Sequence, residues 1–86
     1  MRREPDYLEG KEAVLVYIAK RLNEALALEE ALTTSGVDYV VEADEYFGGF
    51  IFQQVRTGAF FYVAPESEEA ARQAMLRSGY KPQPPA

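Results

Sequence analysis

The stretch Ala31-Leu32-Thr33-Thr34-Ser35-Gly36 is followed 43 positions later by a similar one, Ala74-Met75-Leu76-Arg77-Ser78-Gly79. Each copy has the pattern of a helix end, because glycine adopts at little cost the left-handed conformation that closes a helix. Val37 and Tyr80, which follow the two glycines, suit extended structure. The repeat therefore predicts two strand-helix units in tandem within 86 residues.

The segments that build these units have clear periodic patterns. Residues 13–19 are uncharged and rich in β-branched side chains, which favours a strand buried on both faces in the middle of a sheet. A first helix is expected over residues 21–35, because its leucines and alanines recur on one side of a helix. Pro65 is expected to open the second helix, with Ser67 as its cap and Ser78 near its end.

A three-stranded meander is predicted between the helices. Gly48-Gly49 supplies the positive φ values of a two-residue turn, which would join a strand over residues 39–47 to one over residues 50–55. Arg56-Thr57-Gly58 is expected to turn the chain again into a strand over residues 59–63. With both turns tight, Phe47 would lie opposite Phe50.

This pairing sorts the meander side chains onto two faces. The face expected to cover the helices carries Phe47, Phe50, Phe52, Phe60 and Tyr62. The other face carries Glu42, Asp44, Tyr46, Ile51, Gln53, Val55, Phe61 and Val63. A bulge at Gly58 would exchange the two faces of the last strand.

The element order predicts an α+β fold, a ferredoxin-like plait with a mainly antiparallel sheet and two helices on one face. One domain is expected over residues 13–80, preceded by a loosely held arm over residues 1–12 and followed by a proline-rich tail over residues 81–86. Because prolines interrupt that tail, residues 80–84 form either a short edge strand or extended chain.

Composition excludes several kinds of chemistry. The chain contains no Cys and no His, so disulfides, thiolate metal sites and nucleophile-histidine arrangements cannot be built. A net charge of −5 is expected to repel nucleic acids and anionic membranes. No apolar stretch approaches the roughly 20 residues that span a bilayer. We therefore expect a cytoplasmic protein that is not an enzyme and has no cofactor, metal or nucleic-acid partner.

Acidic residues cluster on the second predicted strand. Glu42 and Asp44 would share a face, and with Gln53 across the hairpin they could hold a hard cation or act as an acid-base pair. Acids on an outer strand also block edge pairing and keep a domain in solution. The second explanation is favoured, because two carboxylates rarely hold a metal without further ligands.

Aromatic content predicts self-association. Eleven aromatic residues on so small a domain indicate that another subunit or partner covers part of the surface. Aromatics also cluster at the predicted hairpin tip, where a turn is normally polar. Either a partner covers them or they fold back as a cross-strand pair. The candidate contact residues for a partner or ligand are Tyr46, Phe47, Gly48, Gly49, Glu42, Asp44 and Phe61.

Two segments resemble a known family. Residues 25–32, closed by Ser35-Gly36-Val37, and residues 61–71 are similar to small prokaryotic PII-like signal-transducing domains of unknown function, over about residues 13–78. The resemblance implies a PII-like plait with a regulatory or binding role, often oligomeric, and no catalytic residues. In PII proteins a long loop between the second and third strands contacts partners. Its counterpart here is the short tip over residues 46–49.

The element order and size also resemble the RNA recognition motif. Val16-Tyr17-Ile18 and residues 56–63 lie at the positions of its first-strand and third-strand signatures. Ala59 stands where a base-stacking aromatic is expected, and Glu42 and Asp44 would repel phosphate. The leading hypothesis is therefore a non-catalytic regulatory or protein-interaction domain that self-associates. Alternatives are a small-ligand-binding domain at a subunit interface and, less favoured, an RNA-recognition-like binder.

Overall fold

The computed structural model describes residues 1–48 and 54–83. Its helices and strands are β1 (Val14–Ala19), α1 (Leu22–Thr34), β2 (Val40–Gly48), β3 (Gln54–Val63) and α2 (Glu68–Arg77). Short 3-10 helices at Pro5–Leu8 and Pro65–Ser67 precede β1 and α2. The chain is thus an α+β fold whose βαββα order resembles a ferredoxin-like fold. Within the described ranges, no helix is long and apolar enough to cross a membrane.

Both helices end as the glycine repeat predicts. Gly36 and Gly79 have φ values of 75° and 84°, in the left-handed region. The Val37 amide donates to the Leu32 carbonyl at 3.0 Å, and the Tyr80 amide donates to the Met75 carbonyl at 2.8 Å. These six-to-one bonds define Schellman caps, in which the residue after the glycine satisfies a carbonyl of the last helical turn. The prediction of two glycine-terminated helices is confirmed.

Across residues 1–48 and 54–83, the sheet has three antiparallel strands in the order β1-β3-β2. The prediction that residues 13–19 form a central strand is wrong, because β1 lies at an edge and β3 is central. Apolar β-branched residues indicate burial, but burial does not require a strand partner on each side. The open side of β1 receives one bond from the chain end, where the Gln83 amide donates to the Val16 carbonyl at 2.7 Å.

The predicted meander is also wrong, because Gln54–Val63 is one uninterrupted strand. It pairs with β2 without a bulge from Val40 opposite Tyr62 to Gly48 opposite Gln54. Gly58 is therefore not part of a turn. A Cβ atom there would lie 3.0 Å from the Tyr46 ring and 3.2 Å from the Ala19 carbonyl oxygen, so close packing requires the glycine.

The faces predicted for β3 are reversed, whereas those predicted for Glu42, Asp44, Tyr46 and Phe47 on β2 are confirmed. Phe47 lies opposite Val55, not Phe50. The prediction placed two residues between the strands, whereas five residues separate Gly48, the end of β2, from Gln54, the start of β3. This odd shift in pairing moves Phe61 to the face that meets the helices. Gly49 and the predicted positions of Phe50, Ile51, Phe52 and Gln53 lie outside the described residues.

One core joins both helices to one face of the sheet, here called the helix face. Its fully buried members include Val16, Leu28, Leu32, Phe61, Val63 and Met75. The Phe61 ring stacks on the buried Tyr39 ring at a centroid distance of 5.9 Å. Phe61 and Val63 were expected on the sheet face away from the helices, in contact with another subunit, whereas the structure places them in the core. Phe60 and Tyr62 lie on the opposite, outer face.

The N-terminal segment packs against the sheet instead of forming a loose arm. Arg2 makes a parallel bridge to Tyr39, and the Arg3 amide donates to the Tyr39 carbonyl at 2.7 Å. The short helix that follows buries Leu8 against Val40 and Ala64 on the outer face. Residues 1–8 therefore cover one end of that face and the beginning of the β2 edge.

The difference in burial along the helix face can be tested by truncating Phe61 at its buried end and Phe47 at its exposed end. Phe61→Ala is expected to lower the free energy of unfolding by about 3–5 kcal/mol, because it empties a buried site. Phe47→Ala is expected to cost about 1 kcal/mol or less, because Phe47 is 76% exposed. Urea denaturation of dilute, monomeric protein measures both values. Equal losses of stability would contradict this difference in burial.

Candidate functional site

The far end of the hairpin extends beyond the helices. Residues 43–48 of β2 and residues 54–57 of β3, here called the β-ribbon, are exposed except for the partly buried Tyr46 and Gly48. Residues 60–63 of the same strand are buried or nearly so. A two-stranded ribbon without a covering layer is only marginally stable in water. The β-ribbon is therefore a surface that a further layer could stabilise.

An apolar pair lies on the helix face of the β-ribbon. Phe47 and Val55 are directly opposite each other in the ladder, and their side chains are 76% and 57% exposed. Cross-strand pairs normally stabilise a sheet by excluding water from each other and from the layer above. Here, the part of the chain that the structure describes buries neither side chain. The pair is a candidate contact for another molecule.

A groove opens at the base of the β-ribbon on the same face. The first turn of α1 does not reach across the sheet there, which leaves a space of about 310 Å³. Its floor consists mainly of small apolar side chains, from Ala19, Ala25, Val41, Ala43 and Ala59. Leu22, the first residue of α1, lines it and is 76% exposed. This space is called the α1 groove below.

Cationic residues surround the α1 groove although the chain is acidic overall. Arg2 is held there by the docked N-terminal segment, with its guanidinium 3.5 Å from the Glu29 carboxylate. Arg21 occupies the N-cap of α1 and makes no capping bond through its side chain. Lys20 also lines the groove, but its ammonium lies 5.7 Å from the centre of the Tyr46 ring, on the outer face. Arg21 is therefore the cation best placed to meet a carboxylate from another molecule.

The charge pattern of α1 is unusual. A helix N-terminus is the positive end of the helix dipole, so cations there are unfavourable by a few tenths to about 1 kcal/mol each. The second helix shows the usual arrangement, with Glu68 and Glu69 in its first turn and Arg77 in its last. α1 also carries an acid, Glu24, in its first turn, and the Glu24 carboxylate accepts from the Lys20 amide at 3.0 Å. Lys20 and Arg21, which stand just before the helix, add cations at the same end.

The outer face has the opposite charge. Glu42 pairs with Phe60 and Asp44 pairs with Gly58, so the two carboxylates share this face, as predicted. Burial raises the pKa of the Tyr62 phenol, and the charges of Glu42 and Asp44 raise it further. A surface that disfavours a phenolate also disfavours phosphate. Within residues 1–48 and 54–83, no group of three or more acidic side chains could share a metal ion.

Tyr17, which corresponds to the first-strand aromatic of the RNA recognition motif, is not available for base stacking. Tyr17 packs on the helix face, where its ring meets the Tyr80 ring edge-on at a centroid distance of 5.4 Å. A bulge between Leu15 and Tyr17 brings this side chain to the helix face. The outer face thus lacks the first-strand aromatic that the resemblance suggested.

The predicted contact residues divide into three groups. Glu42, Asp44 and Tyr46 lie on the outer face, and the Tyr46 ring packs beside Gly48 and Gly58. Phe47 lies on the helix face of the β-ribbon. Phe61 is fully buried in the core and cannot contact a partner, because the reversed pairing turns it under the helices. Gly49 and Gln53 lie outside the described residues.

Sequence reasoning did not identify two parts of the site. Val55 was assigned to the face opposite Phe47, so their pairing was missed. Arg21 was interpreted only as the start of a helix. The adjacent cations Lys20 and Arg21, at a helix start where acids are preferred, were the available signal.

Comparisons with family models, curated proteins and solved structures found no match. Function is therefore inferred from the geometry and charge of this chain.

Acid pH is expected to weaken the attachment of the segment that places Arg2 at the α1 groove. The Arg3 guanidinium lies 3.1 Å from the Asp38 carboxylate and, by hydrogen bonding, holds the pKa of Asp38 below its ordinary value. The resulting stabilisation is fully present above about pH 3.9 and is lost as the pH falls through the lowered pKa. Backbone NMR shifts of Arg3 and Tyr39 should therefore change mainly below about pH 4.

The Asp38→Asn variant provides the control for this titration. Without the carboxylate, the Arg3 and Tyr39 shifts should lose that acid-dependent step while core amides such as that of Leu28 stay unchanged. A step that persists in the variant would show that another group controls the docking of the segment.

Proposed function

We propose that this chain is a non-catalytic, self-associating protein-interaction domain with a regulatory role of the signal-transducing kind, and that the β-ribbon forms its contact surface. The observation that carries the proposal is the exposed pair Phe47 and Val55. Within residues 1–48 and 54–83, no layer covers the ribbon that these two side chains occupy.

The energetics favour association through this pair. Burying a Phe or Val side chain contributes roughly 1.5–3 kcal/mol, so the two pairs of a dimer supply on the order of 6–12 kcal/mol. Association costs roughly 4–15 kcal/mol in lost freedom. The pair alone thus supports a weak dimer, and a stable one needs further contacts.

A binding role fits the composition and the shape better than catalysis does. The chain has no His or Cys, which removes the commonest general base and the commonest covalent nucleophile near neutral pH. The β-ribbon consists of the ends of β2 and β3 that flank their connection. In PII proteins, the loop between the second and third strands contacts partners. A PII-like variant of the ferredoxin-like plait is therefore part of the proposal.

Sedimentation velocity over a range of protein concentrations tests the proposal. At micromolar concentrations, we expect the apparent mass of the wild-type protein to exceed the monomer mass of 9.7 kDa. Phe47→Gln should weaken self-association at least about tenfold, which corresponds to a loss of about 1.4 kcal/mol. The change removes an apolar side chain from the contact without touching the core.

Leu76→Gln is the matched control, because Leu76 is 57% exposed on α2, away from the hairpin. It should self-associate like the wild type. A wild-type chain that stays monomeric at a concentration of about 200 μM would contradict the proposal. Equal weakening by the two variants would show that the β-ribbon has no special role.

A further inference from the structure

The β-ribbon and the α1 groove carry complementary chemistry on one face of the sheet. In β2, residues 41, 43, 45 and 47 alternate onto the helix face. The β-ribbon therefore presents one acid, Glu45, beside its apolar pair. The α1 groove presents an alanine-rich floor and the exposed Leu22, with Arg2 and Arg21 on its lining.

We propose that the β-ribbon of each copy lies in the α1 groove of a second copy. Phe47 and Val55 cover the alanine floor and Leu22 of the partner, and Glu45 pairs with Arg21 of the partner. The inference rests on the proposed self-association and specifies the two surfaces that meet.

Phe47 cannot fill the α1 groove of its own chain, so we assign the groove to the ribbon of another copy. The ladder of β2 and β3 runs without a bulge from Val40 to Gly48. A strand rises roughly 3.3 Å per residue, so Phe47 stands about 13 Å beyond Ala43 of the groove floor. The same straight ribbon that carries Phe47 away from its own groove can carry it into that of a partner.

Reciprocal placement also closes the assembly. Each copy contributes one β-ribbon and one α1 groove, so a two-fold axis satisfies both surfaces at once. The dimer then buries two apolar pairs, two exposed leucines and two Glu45–Arg21 contacts. These added contacts supply the stabilisation that the apolar pairs alone do not provide.

Pairing through the open edge of β2 is disfavoured. Glu42, Asp44 and Glu45 lie along this edge strand. An antiparallel β2-to-β2 contact would set these acids against their copies, which is destabilising. The charges therefore direct association away from the edge and towards the cationic groove.

The groove size suits side chains. Ligand pockets commonly measure roughly 300–1,000 Å³, and the α1 groove, at about 310 Å³, lies at the lower end of this range. Its floor of alanine and valine lacks the convergent buried polar groups that orient a small ligand. A large apolar side chain with a neighbouring carboxylate matches both its size and its charge.

A charge exchange tests the placement. Glu45→Lys sets lysine against Arg21 in its homodimer, and Arg21→Glu sets Glu45 against glutamate in its homodimer. Each variant alone should self-associate at least about tenfold more weakly than the wild type. An equimolar mixture should recover the wild-type affinity, because every ribbon then meets a groove of opposite charge. Arg21→Glu places an acid at the positive end of the α1 dipole, so we expect the variant to fold.

Glu12→Lys, which makes the same change in net charge on the exposed loop before β1, is the control and should behave like the wild type. Circular dichroism confirms that each variant is folded. Weakening by Phe47→Gln without weakening by Glu45→Lys, or a mixture that fails to recover, would overturn the placement while leaving self-association intact. A monomeric wild type would overturn the proposed function itself.

Discussion

The unbroken ladder between β2 and β3 determines most of what this chain can do. Nine residue pairs run from Val40 opposite Tyr62 to Gly48 opposite Gln54 in one register. The first of these pairs place Phe61 and Val63 under the helices, where they complete the core. The last pairs continue past the helices and carry Phe47 and Val55 into solvent. Core and contact surface are thus two ends of the same face.

Local patterns in the sequence predicted the helices but not the strand pairing. The repeated glycine-terminated stretch identified both helix ends, because a Schellman cap depends on a few neighbouring residues. Gly58 could not be interpreted in the same way. A glycine suits a turn as well as a close contact, and only the approach of Tyr46 and Ala19 shows which applies. The reversed faces have another cause: since side chains alternate, the two-residue turn predicted at Gly48-Gly49 shifted the pairing by an odd number and reversed every face assignment on β3.

The candidate site shows the same division between local and distant information. Phe47 could be chosen from the sequence, because an aromatic residue beside a glycine turn is unusual. Its partner Val55 could not, because their pairing depends on the length of the hairpin connection. The α1 groove depends on contacts between β1, α1 and the N-terminal segment, which no single stretch of sequence encodes. Only the cations before α1 marked it in advance.

Disulfide formation between copies tests most directly whether the exposed end of the ladder meets the groove of another chain. The natural chain has no cysteine, so only introduced thiols can pair. Leu22→Cys places one in the α1 groove and Val55→Cys places one on the β-ribbon. Mild oxidation of the mixed variants should join Leu22→Cys to Val55→Cys chains in preference to like chains. Absence of this mixed product, under conditions where the wild-type protein self-associates, would contradict the account.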